Sequence, residues 1–155
     1  MSLANDSVQD LRHFEGWKGL LYDDATAKPL KQGDTIKGHP TIGCGFALDT
    51  AGLQDCEIAF ILQNRIAGFI AAASASLPGI WETLCEARQR VIINMLYELG
   101  AEGFNEFQHF KSALEAGDFD GAATALLDSL AAKQAPKRWQ WNADTMRSGE
   151  VQPYD

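Results

Sequence analysis

Thr41-Ile42-Gly43-Cys44-Gly45-Phe46 reads as a short strand, set in a chain whose other segments mostly carry helical periodicity. Around it, from Tyr22 to Leu48, glycine, proline, threonine and lysine replace the helical period, so this region is expected to form a small hairpin or sheet. Before it, Leu11, Phe14, Lys18 and Leu21 recur at intervals of three to four, predicting a helix that Gly19 weakens at its end. After it, Ile58, Leu62, Ile66, Phe69 and Ala73 make one stripe, broken at Leu77-Pro78-Gly79. The stretch from Ile66 to Leu77 reads as a buried helix. Trp81, Leu84, Arg88, Val91, Ile92, Met95, Leu96 and Leu99 then describe a longer helix, apolar all round, that suits the centre of a core and stops at Gly100. Shorter helices are expected near 106–116, 119–131 and 136–147. The order is helix, small sheet, helical bundle: an α+β chain, mainly helical, with the sheet inserted early.

The chain has 155 residues and is 46% hydrophobic, enough for one domain with a packed interior. No apolar run is read as reaching the roughly 18 residues of a membrane span, and Asp6 and Asp10 near the start do not suit a signal peptide. The net charge is −8, which disfavours nucleic acid as a partner, because affinity there comes largely from neutralising phosphates. The twelve acidic and four basic side chains of residues 49–130 account for the whole imbalance. Lysines gather instead at Lys28, Lys31 and Lys37, and basic groups at Lys133, Lys137, Arg138 and Arg147. Three cysteines, Cys44, Cys56 and Cys85, are too few and too scattered for a disulfide framework, and they form no tight cluster with His13, His39 and His109. They are expected to be small buried hydrophobes, and no metal or cofactor is called for.

Glu15 stands at the edge of the first helical stripe, beside Phe14. A carboxyl there is expected to be partly desolvated, which favours its protonated form and suits a general acid. The plain alternative is a surface glutamate on an amphipathic helix. Asp24 follows where the helix gives way to the irregular segment, and a solvated loop carboxylate there stays ionised. Two carboxyls in unlike surroundings are what glycosidic cleavage requires: one protonates the leaving oxygen and the other handles water. Thr41, at the start of the strand, offers a hydroxyl that can orient a water, while Gly43 and Gly45 allow close approach of backbone to a sugar or simply tight packing of the strand. Asp23 and Asp24 are adjacent, and in an extended segment their carboxylates point to opposite sides. Only one of them can serve the site.

Phe14-Glu15-Gly16, then Leu21-Tyr22-Asp23-Asp24, then Thr41-Ile42-Gly43-Cys44-Gly45 together resemble the phage-type lysozymes of glycoside hydrolase family 24, whose pattern is Glu-Gly, Tyr-x-Asp and Thr-Ile-Gly-x-Gly. The similarity extends through Arg90 to Gly100, and to Pro136-Lys137-Arg138-Trp139 and Arg147-Ser148-Gly149, so nearly the whole chain is covered. The resemblance implies a single lysozyme-like domain over 1–155, with a sheet lobe at about 22–48 and a helical lobe at 54–150 completed by the N-terminal helix. It implies hydrolysis of the β-1,4 bond between N-acetylmuramic acid and N-acetylglucosamine in peptidoglycan, with inversion. Glu15 would be the acid, and Asp24 with Thr41 would hold the attacking water. By the same resemblance, Tyr97 lines the sugar cleft and Arg138 approaches Glu15. A monomer that waits in the host cytoplasm for a pore and then acts on the wall completes the picture.

Two departures stand out. The family often has histidine where this chain has Phe46, and the stretch from residue 25 to 40 is long enough to enlarge the hairpin. A lytic transglycosylase on the same substrate would have no need of Asp24 and Thr41. An inactive wall-binding protein of the same fold would be expected to have lost one of the three residues, and none is lost.

Overall fold

Gly16 ends the first helix. The computed structural model describes residues 3–154, and in it α1 spans Leu3–Glu15 and stops where Gly16 adopts φ 78°, a conformation that L side chains rarely take. The chain re-enters at once as strand β1, Lys18–Asp23. Lys18 and Leu21 therefore lie in a strand and not in the helix that their spacing predicts. The glycine that matters is Gly16, three positions earlier than Gly19.

Strand β2 covers Pro40–Gly43 and β3 covers Phe46–Ala47, giving an antiparallel sheet in the order β1-β2-β3. The single strand expected over 41–46 is thus a tight hairpin. Gly43 and Gly45 both have positive φ, 66° and 80°, and turn the chain back on itself. Tyr22 pairs with Thr41 and Asp23 with Pro40, while an irregularity shifts the register between Lys18 and Tyr22. The long segment between β1 and β2 folds back onto β1: Tyr22 also bridges to Pro29, and the Leu30 amide donates to the Leu21 carbonyl at 2.9 Å. The free edge of β1 is covered in this way.

The chain divides into two compact units, residues 1–60 and 61–155, with the boundary inside helix α2, Asp55–Ser76. This helix departs from expectation. Of the stretch from Ile66 to Leu77 only Ala73 and Leu77 are buried. Ile58, Phe60, Ile61, Leu62 and Ile70 are all exposed, because the apolar residues are spread around the helix and not confined to one stripe. With 22 residues it is also long and apolar enough, by length and composition, to cross a membrane, where no such run was expected.

In the second unit Trp81 and Leu84 do not belong to the long helix. Trp81–Thr83 form a 3₁₀ turn, and α3 begins at Glu86 and runs to Asn105. Gly100, at φ 69° and ψ 174°, interrupts it where a stop was read. Val91, Ile92, Met95 and Leu96 are buried as expected of a central helix. Arg88 belongs to this stripe because its guanidinium donates to the Met146 carbonyl at 2.9 Å and stacks over Phe119. Helices α4 (Gln108–Glu115), α5 (Phe119–Leu127), α6 (Leu130–Gln134) and α7 (Pro136–Ser148) close around Phe104, Phe110, Leu126, Trp139 and Met146. The helix read over 119–131 is two helices, since the Ser129 hydroxyl caps a new start by accepting from the Ala132 amide at 3.0 Å. The protein is α+β, mainly helical, with one small antiparallel sheet. Its cysteines are free thiols, but Cys56 and Cys85 are exposed and Cys44 half-buried, so they are not the buried hydrophobes expected.

Candidate active site

Register alone brings Asp24 and Thr41 together. With Tyr22 opposite Thr41 and Asp23 opposite Pro40, the next residue of each strand puts Asp24 opposite His39. Side chains alternate along a strand, so Tyr22 and Asp24 share a face with His39 and Thr41, and Asp23 points the other way. The His39 backbone joins the pair. Its carbonyl accepts from the Asp24 amide at 3.1 Å and from the Thr41 hydroxyl at 3.1 Å. Its own amide donates to Asp24 Oδ1 at 2.6 Å. Asp24 is exposed, whereas Thr41 is 2% exposed.

The neighbouring carboxylate does something different. Asp23 is 3% exposed. It caps the turn, and more: Oδ1 accepts from the amides of Ala25 and Gly38 at 3.0 Å each, and Oδ2 from the amide of Lys37 at 2.9 Å. The Lys37 amide is the main influence holding this carboxyl below its ordinary value of 3.8; burial opposes it, and the amides of Gly38, Ala25 and Thr26 assist. Asp23 therefore binds the two ends of the long segment, Ala25 and Lys37-Gly38, to each other. Gly38 is required at that junction, because a Cβ there would collide with Asp24 Oδ1 and with Ala25.

Glu15 is the last residue of α1 and is exposed. The partial burial expected from its place beside the apolar stripe is not found, since Leu11 and Phe14 are themselves exposed. Its carboxylate lies against the β2–β3 turn instead: Oε2 is 3.8 Å from where a Cβ on Gly45 would stand. The Cys44 thiol donates to the Gly16 carbonyl at 3.1 Å, tying that turn to the end of α1. Phe46 lays its ring against Gly43, 2.9 Å from where a Cβ would be, so the position offers an aromatic contact in place of a polar one.

His39 and Asp49 are the residues the sequence reading missed. Nδ1 of His39 lies 3.0 and 3.2 Å from the two carboxylate oxygens of Asp49. That hydrogen bond, followed by the charge of Asp49, raises the imidazole above its ordinary value of 6.5; partial burial works against this and Asp24 adds to it. The signal was present in the spacing, since His39 stands two residues before Thr41 and so on its face of the strand.

Tyr97 and Arg138 belong to the second unit. Tyr97 is exposed and meets Phe69 edge-on, with ring centroids 6.0 Å apart. Arg138 donates to Glu98 Oε2 at 3.1 Å, while Glu98 Oε1 accepts from the buried Trp139 indole at 3.1 Å. Arg138 also lines a pocket of about 310 Å³ with Asn94, Lys137, Trp141, Pro153 and Tyr154, walled by the stacked rings of Trp141 and Tyr154. A larger pocket of about 650 Å³, next to α4 and α5, contains none of the five residues picked out in the sequence. Among the described residues no three His, Cys, Asp or Glu side chains gather as metal ligands. Compared with models of known families and with curated proteins, the chain matches none.

Proposed function

We propose that this chain is a lysozyme of the phage type, hydrolysing the β-1,4 bond between N-acetylmuramic acid and N-acetylglucosamine in peptidoglycan with inversion at the anomeric carbon. The observation that carries the reading is the pairing of Asp24 with Thr41 through the backbone of one residue, His39, on one face of the sheet. The three ordered motifs that resemble family 24 supply the rest. In this reading Glu15, exposed at the end of its helix, gives its proton to the glycosidic oxygen as the bond to C1 breaks. The Asp24 carboxylate uses Oδ1 for the His39 amide, so Oδ2 is free to take a proton from water. Thr41 donates its own proton to the His39 carbonyl, which leaves its lone pairs to accept from the same water. The water oxygen bonds to C1 on the face opposite the departing sugar, its proton goes to Asp24, and a reducing end is left. Tyr97 and Arg138 are the proposed contacts to the glycan, which is bound by a monomer.

Clearing of a suspension of purified bacterial wall, followed by assay of reducing ends, tests this directly. Clearing with new reducing ends supports the hydrolase. Anhydro-muramic ends would replace it with a transglycosylase. Binding to wall without clearing would leave a wall-binding protein of the same fold.

A further inference from the structure

We propose that the ion pair between His39 and Asp49 positions the Asp24–Thr41 pair for the reaction, making His39 a positioning residue that touches neither sugar nor water. The inference rests on the hydrolase reading and adds two residues to its site. Three hydrogen bonds involve the backbone of His39, whose amide donates to Asp24 Oδ1 and whose carbonyl accepts from the Asp24 amide and the Thr41 hydroxyl, so a shift of this one residue would misdirect both groups at once. His39 lies one residue before β2 begins at Pro40, at the end of the ladder, where a backbone bond from the Asp24 amide to its carbonyl continues the pairing. Its side chain adds a second hold. The imidazole is clamped by both oxygens of Asp49, which stands just beyond β3, and so ties the start of β2 to the segment that follows the hairpin.

Two charged groups face the ring: Asp49, paired with it, and Asp24, across the hairpin. Asp23, although adjacent in sequence, is turned away and spent on the amides of Ala25, Lys37 and Gly38. Both groups that face the ring are anions, so the imidazolium is the form that the clamp prefers. When the ring loses its proton, it still accepts or donates one hydrogen bond, but the ion pair is gone and the residue is held less firmly. The expected signature is a fall in kcat as pH rises through the titration of His39, with KM little changed, because sugar contacts are elsewhere.

The experiment combines proton NMR titration of the His39 ring with pH profiles of wall clearing, in wild type, Asp24→Asn, Asp49→Asn and Asp49→Glu. Asp49 is on the surface, so its variants are expected to fold. Asp49→Asn should move the midpoint of His39 down toward its ordinary value and carry the alkaline fall of kcat down with it, and Asp49→Glu should restore both. Asp24→Asn should also lower the His39 midpoint. A kcat profile that stays in place in Asp49→Asn overturns the inference, and so does a His39 midpoint indifferent to Asp24. A wild type whose His39 titrates as described but which clears no wall refutes the hydrolase reading alone.

Discussion

Asp24 and His39 hold each other twice across the hairpin, the His39 amide donating to Asp24 Oδ1 at 2.6 Å and the Asp24 amide donating to the His39 carbonyl at 3.1 Å. One of these bonds is backbone to backbone and continues the β1–β2 ladder by a residue. The other replaces the next ladder bond by a side chain, which fixes the carboxylate as well as the strand. A loop aspartate normally samples several rotamers, and this one is oriented before any ligand arrives.

That orientation depends on Gly38. A methyl group there would meet Asp24 Oδ1 and the Ala25 backbone and Cβ, so either the carboxylate or the turn must move. Gly38→Ala is expected to cost about 1–3 kcal/mol, the range of overpacked sites, and to reduce wall clearing by more than the loss of folded protein explains. Thermal midpoints and initial rates on the same preparation check it. Full activity with an unchanged midpoint would mean that the approach of Asp24 to Gly38 is looser than described.

Glu15→Gln keeps the shape of the side chain and removes the transferable proton. The residue is exposed at a helix end, so folding should be untouched, while clearing should fall by roughly 10²–10⁴-fold. Proton NMR of the earliest products from wild type should show the α-anomer first, as inversion demands. Near-normal clearing by Glu15→Gln removes the acid assignment, and early β-anomer removes the water held by Asp24 and Thr41.

How much of this was legible beforehand differs from residue to residue. The central helix was readable because Val91, Ile92, Met95 and Leu96 recur at helical spacing, and these four residues are buried together on one face. The end of α1 was not: Lys18 and Leu21 continue the helical spacing, and only the positive φ of Gly16 decides against them. The strand at 41–46 was recognised, yet its fold into β2 and β3 depends on two glycine conformations that spacing does not encode. The choice of Asp24 over Asp23 came from the Tyr-x-Asp motif of the resemblance; alternation said only that the two carboxylates point to opposite sides, and the register has them so. The burial of Asp23 was illegible, because its partners are amides fourteen and fifteen residues away. His39 was passed over as one of three scattered histidines; its role needs the register first.

In the second unit Glu98 serves two partners, the indole of Trp139 and the guanidinium of Arg138, each at 3.1 Å. Trp139 is wholly buried, so Glu98→Ala leaves its N–H without an acceptor and is expected to cost about 1–3 kcal/mol. Glu98→Gln keeps an oxygen for the indole and loses only the pairing with half-exposed Arg138, worth about 0–1 kcal/mol. Denaturant midpoints of the two variants should separate accordingly. Equal losses would assign the stabilisation to the ion pair instead.

The last prediction separates two adjacent aspartates by opposite signatures. Asp24→Asn preserves the acceptor for the His39 amide and removes the charge that takes a proton from water. Its thermal midpoint should stay near wild type while kcat falls steeply and sugar binding persists. Asp23→Asn does the reverse. An asparagine has one acceptor oxygen in place of two, and its NH₂ would point at backbone amides that are themselves donors. The segment from Ala25 to Gly38 loses its common anchor, and the midpoint should drop by several degrees. The pH dependence gives a further check. The Lys37 amide and its neighbours hold the Asp23 carboxyl below 3.8, so its contribution to stability is present above that value and disappears as pH falls through the lower, folded-state titration. Asparagine has no such titration. The gap in midpoint between wild type and Asp23→Asn should therefore be widest near neutrality and close progressively in acid. A gap that does not change with pH would show that the loss comes from packing and not from the ionised carboxylate. If Asp23→Asn instead abolished turnover at an unchanged midpoint, the catalytic carboxylate would be Asp23, and the register of the site would be off by one residue.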